Sequence, residues 1–200
     1  MEQLTDLVIR ALRERWLVEL EASGRHVHLT REAADYLFGH GLTPERPLSQ
    51  PGQYLCRERV SILGPKGRFD RVAVLGPERP GCQVEISRTD GVILGVEAPV
   101  RPSGSIAGSP GITLEAEGRR LALPMGVIVA QRHIHMTPED AARRGIEDGA
   151  LVRLRTLTPR PVVFEEVLVR VSPDFRTYVH LDFDEANACG CRKGDLGLIL

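Results

Sequence analysis

Aromatic residues make up only 4% of the 200 positions, so Val, Leu and Ile must fill the core. Cysteine is scarce too. Four cysteines in this length do not make a disulfide scaffold, and a soluble, reducing compartment fits them best. No charge excess exists: 26 basic against 27 acidic residues leave a net charge of −1, which supplies no general field for nucleic acid or an anionic membrane. No apolar run approaches the roughly 18 residues needed to span a bilayer. Glu2 and Asp6 break any basic-then-apolar secretory pattern at the N-terminus. Glycine-rich nucleotide loops and a Gly-x-Ser-x-Gly elbow are missing, so nucleotide hydride transfer and serine-hydrolase chemistry have no motif.

What is present reads as globular and mainly β. Hydrophobic residues at 42% and charged residues at 26% argue against disorder, and 20 glycines with 14 prolines imply many turns. Residues 59–63 and 69–75 flank Gly64-Pro65-Lys66-Gly67 as a hairpin. Further strands are expected at 84–87, 112–115, 126–131, Leu151–Thr156, Val162–Val171 and Thr177–Asp182, with a loop over 102–111 and two or three short helices. Many short strands with regular turn signals indicate small barrels or sandwiches. Leu4, Leu7, Val8, Ala11 and Leu12 give residues 3–15 the stripe of an amphipathic helix, packed on its own domain or docked to a partner or shell.

An internal repeat is more informative. Arg25-His26-Val27-His28-Leu29-Thr30-Arg31-Glu32 returns 107 positions later as Arg132-His133-Ile134-His135-Met136-Thr137-Pro138-Glu139, with five of eight residues identical and two apolar exchanges. Each copy precedes an expected helix capped by Thr30 or Thr137, with Pro138 suited to the first helical position. Two related halves are implied, each entered through a His-x-His strand.

In a strand, residues i and i+2 share a face about 6.5–7 Å apart. Two imidazoles at that spacing can converge on one ion through bonds of about 2.0–2.1 Å. His26 with His28 and His133 with His135 form two such pairs, while Val27 and Ile134 point to the opposite, apolar face. His180 alone reads as structural, yet it could complete one pair as a third ligand. Glu85 alone reads as solvent-facing, His40 as capping or exposed, and Arg79 as a surface residue. Cys56, Cys82, Cys189 and Cys191 read as buried or incidental thiols, because Cys189-x-Cys191 lacks the spacing of a zinc knuckle.

Arg25-His26-Val27-His28-Leu29, Pro51-Gly52-Gln53, Leu75-Gly76-Pro77, Gln83-Val84-Glu85-Ile86-Ser87-Arg88-Thr89-Asp90, Pro110-Gly111-Ile112-Thr113-Leu114, Arg132-His133-Ile134-His135-Met136 and His180-Leu181-Asp182 with Asp184-Glu185-Ala186-Asn187-Ala188 occur in order over residues 22–200. Together they resemble the PduL-type phosphate acyltransferases (phosphate propanoyltransferases). The resemblance implies two interlocked β-barrels, few short helices and two zinc ions. It implies interconversion of a short-chain acyl-CoA (propanoyl or acetyl) plus phosphate with acyl phosphate plus CoA. By motif match His26, His28 and Glu85 hold the zinc that takes the CoA sulfur. His133, His135 and His180 hold the other zinc, completed by water or phosphate, and Arg79 binds phosphate as the catalytic arginine. The implied division is an N-terminal helix over 1–10, one barrel from 11–24 with 131–200, and a second barrel from 25–130. Gly91 departs from the alanine common in the family. Expected partners are acyl-CoA, CoA and phosphate, without nucleic acid or membrane, and with self-association or shell docking left open. The expected location is cytoplasmic, free or within a bacterial microcompartment. A dizinc hydrolase and a non-catalytic β-barrel module with structural zinc are the rival readings of the same histidines.

Overall fold

The computed structural model describes residues 15–200. The helix expected over 1–10 and the apolar stripe from Leu4 to Leu12 lie outside the described residues. In chain order the strands are β1 (Leu17–Ser23), β2 (His26–His28), β3 (Pro44–Pro47), β4 (Tyr54–Leu63), β5 (Arg68–Gly76), β6 (Gln83–Glu85), β7 (Val100–Arg101), β8 (Ile112–Ala116), β9 (Arg119–Leu123), β10 (Val127–Ala130), β11 (His133–Met136), β12 (Leu151–Thr156), β13 (Val163–Val171), β14 (Tyr178–Asp182) and β15 (Leu196–Ile199). The helices lying wholly within the described residues are α1 (Arg31–Phe38), α2 (Arg88–Leu94), α3 (Pro138–Arg144) and α4 (Phe183–Cys189), where the sequence suggested two or three. No helix among the described residues is long and apolar enough to cross a membrane.

The chain forms two compact units: Gly24–Gln131, and the described residues up to Ser23 together with Arg132–Leu200. The split unit is a closed six-stranded barrel in the order β1-β14-β11-β13-β12-β15. Its first strand comes from before the continuous unit and pairs parallel with β14 and antiparallel with β15. The continuous unit is a nine-stranded sheet in the order β7-β10-β6-β2-β5-β4-β8-β9, with β3 on β4. Mainly β architecture with short helices is therefore what the chain adopts.

Strand alternation fills both cores. Ile134, Met136, Val169, Val179 and Leu181 pack into one cluster with Leu20 and Leu154. Val27, Val74, Val84, Ile62 and Leu114 pack into the other with Leu37 of α1. Because side chains alternate across a strand, the residues between these apolar ones face the other side of each sheet. Those residues are His26, His28, Glu85, His133, His135 and His180.

The duplication extends well past the segment visible in the sequence. Strand β2 runs antiparallel to β6 with His26 opposite Glu85 and Val27 opposite Val84. Strand β11 runs antiparallel to β14 with His133 opposite His180 and Ile134 opposite Val179. On their other edges β2 and β11 pair parallel with β5 and β13. Both of these strands carry a bulge, between Val60 and Ile62 of the pairing in one unit and between Val152 and Leu154 in the other. Each bulge contains a non-glycine residue in the left-handed region, Arg71 at φ 54° and Glu166 at φ 53°. A bulge bends the strand and re-aims neighbouring side chains. Here it presents Phe69 to Arg25, whose guanidinium lies 4.0 Å from the ring centroid, and Phe164 to Arg132 at 5.8 Å.

The same two arginines reach the helices that follow the third-donor strands. Arg25 Nη2 lies 2.6 Å from Asp90 Oδ1, and Arg132 Nη1 lies 2.8 Å from Glu185 Oε1. Asp90 and Glu185 are the third residues of α2 and α4. Each closes a capping box with Ser87 or Asp182, and each helix ends on a left-handed glycine, Gly95 or Gly190. The boxes satisfy orphan amide donors at both helix starts. Thr30 and Thr137 cap α1 and α3 as expected, and Pro138 begins α3. Gly91 is explained locally: a Cβ there would lie 2.7 Å from the Val96 carbonyl oxygen, so alanine would require a backbone shift.

Each arginine thus locks a His-x-His strand to the helix after its partner strand. Asp90 is buried, so losing Arg25 strands a carboxylate. Arg25→Ala and Arg132→Ala should each destabilise the protein by about 1.5–3 kcal/mol, the usual cost of losing a hydrogen bond to a charged group. Arg153→Ala, which breaks an exposed pair with Glu165, should stay within about 0.5 kcal/mol. Urea unfolding midpoints of the three variants measure the contrast.

Candidate metal centres

In the continuous unit, β2 supplies His26 and His28, and β6 supplies Glu85. All three are buried, and one donor atom from each lies within 4.8 Å of the others. His26 Nδ1 donates to the Gly24 carbonyl at 2.8 Å, and His28 Nδ1 donates to the Leu75 carbonyl at 3.2 Å. A carbonyl only accepts, so each ring carries its proton on Nδ1 and turns the Nε2 lone pair inward. That is the tautomer a metal-binding imidazole needs, fixed by the backbone. Glu85 Oε2 sits 3.5 Å from His26 Nε2.

Electrostatics agree with the geometry. Burial alone would lower the pKa of His26, but the Glu85 carboxylate beside it outweighs burial and holds it above 6.5. His28 is pushed down to about 3, first by burial and then by the charges of His26 and Arg79. Burial acts to raise Glu85, yet His26 overcomes it and keeps the carboxyl well below the usual range. Imidazole and carboxylate thus stabilise opposite charges on each other, in the place where a divalent cation would bind the same donors.

In the barrel, β11 supplies His133 and His135, and β14 supplies His180. One ring nitrogen from each lies within 4.8 Å of the others. The rings of His133 and His180 stack at 5.0 Å between centroids, and His135 lies 4.7 Å from each. Phe175 stacks on His135 at 3.9 Å. His180 Nδ1 faces Glu21 Oε2 of β1 at 3.5 Å, a carboxylate that favours the proton on that nitrogen. Thr177, at the entrance to β14, donates to Asp140 Oδ2 of α3 at 2.5 Å. That bond ties the helix after one ligand pair to the strand carrying the third donor.

Arg79 stands beside the first constellation. Its backbone N–H donates to Leu29 at 2.8 Å, and its Nη1 donates to Ser103 Oγ at 3.3 Å. It is half-buried rather than a surface residue. Ser103, in the segment read as a simple loop, and Gln83 were not singled out from the sequence. The usable signal was the i, i+2 spacing that puts Gln83 on the Glu85 face of β6. His40 takes no part: it is exposed and faces Glu58 at 3.7 Å. All four cysteines are free thiols. Burial pushes Cys56 up to about 12 and Cys191 up to about 11, so neither is a thiolate at neutral pH.

Two sets of three donors, with a guanidinium beside one of them, could each hold a metal ion, and comparison with known proteins decides the family. A model of the phosphate propanoyltransferase family matches residues 19–192. The chain belongs to the phosphate propanoyltransferase family. A phosphate propanoyltransferase of Listeria monocytogenes is 53% identical over 204 residues, covering 100% of this chain and 96% of that protein. One from Enterococcus faecalis is 50% identical, covering 100% and 97%. One from Salmonella typhimurium is 46% identical over 185 residues, covering 92% and 88%. Phosphate propanoyltransferases are acyltransferases, so the chain is an enzyme.

His28 gives a pH signature to the metal-free protein. In the folded state it stays neutral down to about 3, whereas unfolded it takes up a proton near 6.5. Between those values the unfolded chain binds more protons, so stability falls as pH falls, by up to about 1.4 kcal/mol per pH unit. His26, raised in the folded state, acts oppositely: its contribution is full below 6.5 and fades as pH rises through its folded value. In excess chelator, His28→Gln should flatten the loss of stability between pH 6.5 and 4. Urea midpoints across that range test this, and an unchanged slope would show that His28 does not titrate on unfolding.

Proposed function

We propose that this enzyme exchanges CoA and phosphate on a short acyl group, converting propanoyl-CoA plus phosphate to propanoyl phosphate plus CoA and the reverse, with two zinc ions. The observation that carries this reading is the pair of three-donor constellations with inward-facing nitrogens. Three protein donors leave a coordination position for a reactant, whereas structural zinc sites are closed by four. His26, His28 and Glu85 would hold one ion; His133, His135 and His180 would hold the other. When bound, zinc supplies an acceptor for a thiolate sulfur and a Lewis acid for a phosphate or carbonyl oxygen.

The chain's own residues do the rest. Arg79 offers guanidinium donors to the phosphate dianion, and charge-assisted bonds of this kind are strong and directional. Holding phosphate at the thioester replaces a bimolecular encounter with a positioned one. A phosphate oxygen attacks the thioester carbon, the carbon–sulfur bond breaks, and the proton lost from phosphate ends on the CoA thiol. No acyl-enzyme is needed, in keeping with the high thiol pKa values of Cys56 and Cys191. Ser103 Oγ accepts from Gln83 Nε2 at 2.9 Å and from Arg79 Nη1 at 3.3 Å, which engages its lone pairs and makes it a poor nucleophile.

Metal analysis with the reverse assay, acyl phosphate plus CoA, tests the proposal. Two zinc ions per chain are expected. His26→Ala and His133→Ala should each lose one ion and at least about 100-fold in activity. Arg79→Ala should raise the phosphate KM about 10–100-fold, the equivalent of a lost charged hydrogen bond. Acyl phosphate must be the product; release of free acid without phosphate consumption would establish a hydrolase instead. Full activity in a metal-free preparation would overturn the zinc reading.

Acetyl-CoA should serve as well as propanoyl-CoA to within about 10–200-fold in kcat/KM, because one methylene is worth only about 1–3 kcal/mol in a pocket. Parallel kinetics on the two thioesters check this.

A further inference from the structure

We propose that Gln83 is a positioning residue that holds Glu85 by one oxygen so that the other is presented to the metal. The proposal rests on the reading of His26, His28 and Glu85 as a metal-binding triad. A carboxylate has two equivalent oxygens and rotates freely unless one is tied. Glu85 Oε2 faces His26 Nε2 at 3.5 Å. Its other oxygen, Oε1, accepts from Gln83 Nε2 at 2.5 Å and from Ser103 Oγ at 2.8 Å.

The hydrogen-bond inventory leaves no freedom in this arrangement. Gly104 N–H donates to Gln83 Oε1 at 2.7 Å, which fixes the amide orientation, since only the oxygen can accept. Gln83 Nε2 is therefore the donor to Glu85, and also to Ser103 Oγ at 2.9 Å. Ser103 Oγ receives a second donation from Arg79 Nη1 at 3.3 Å. With both lone pairs engaged, its single proton must go to Glu85. Gln83 is 2% exposed and Glu85 is buried too, so the bond between them is shielded from solvent. The clamp joins the phosphate-binding arginine, the 102–109 loop and the metal carboxylate into one network.

The other unit shows why the clamp is needed in only one place. At the duplicated position, opposite His135, stands Tyr178, and the third donor is His180. An imidazole has a single inward nitrogen once its Nδ1 faces a carboxylate, as His180 does with Glu21. Glu85 needs two donors on its spare oxygen to reach the same definition. Holding that oxygen would leave Oε2 as the oxygen of Glu85 offered to a bound ion.

The test is metal affinity in a His133→Ala background, where only the Glu85 constellation remains. Cobalt(II) titration of the full-length chain, followed by visible absorption and by competition with a chromophoric chelator, reads affinity and ligand geometry without turnover. Adding Gln83→Leu should weaken binding about 10–100-fold and change the cobalt spectrum. Ser103→Ala, which removes one donor from a loop, should weaken it less and serves if the leucine variant does not fold. Neither change should alter cobalt binding by the histidine triad in a His26→Ala background. If Glu85→Ala weakens binding while Gln83→Leu and Ser103→Ala leave affinity and spectrum unchanged, the clamp is overturned and the triad stands. If Glu85→Ala itself leaves binding unchanged, the triad reading fails and the clamp falls with it. Equal weakening in the His26→Ala background would also overturn the clamp, since the effect would then be general.

Discussion

Antiparallel pairing of a His-x-His strand with the strand bearing the third donor is the constraint on which both centres depend. A slip of one residue would turn every side chain of the strand to the opposite face. Val27 with Val84, and Ile134 with Val179, fix the register because these pairs are fully buried. The apolar core thereby sets the donor geometry on the far side of the same strands. Removing a valine would disturb the histidines without touching them.

Around this shared register, each unit repeats the same supports: a bulge with a left-handed residue, a phenylalanine under an arginine, a capping-box helix and a glycine stop. What differs is the third donor. Two imidazoles with a carboxylate make a site of lower net charge once a divalent ion is bound. Three imidazoles leave the full dipositive charge. The two sets would therefore present different charge to a reactant. One duplicated scaffold thus carries two chemically distinct sets of donors.

Much of this was legible in the sequence because the repeated His-x-His segment is short, local and polar against an apolar pattern. The hairpin about Gly64–Gly67 was legible for the same reason, since turn chemistry is local. The wider duplication was not: Phe69 and Phe164, or Asp90 and Glu185, match only in their place in the fold, and the intervening residues have diverged. Strands β3, β7, β9 and β15 escaped notice because they are short and largely exposed or weakly alternating. Helices α2 and α4 were hidden by their length, although Ser87 with Asp90 and Asp182 with Glu185 carry the spacing of a capping box. Gln83 and Ser103 escaped because their roles arise from a contact between β6 and a loop 20 residues away.

The origin of β1 bears on how the chain is made. Leu17–Ser23 precedes the continuous unit in the chain, yet among the described strands its partners are Tyr178–Asp182 and Leu196–Ile199, which follow that unit. The continuous unit between them has all its strands made before the later strands of the barrel. The barrel must wait, and its first described strand carries unpaired amides and the apolar Val18 and Leu20 until β14 and β15 have been made. A ribosome that stalls short of residue 196 leaves that edge open to pairing with a neighbouring nascent chain.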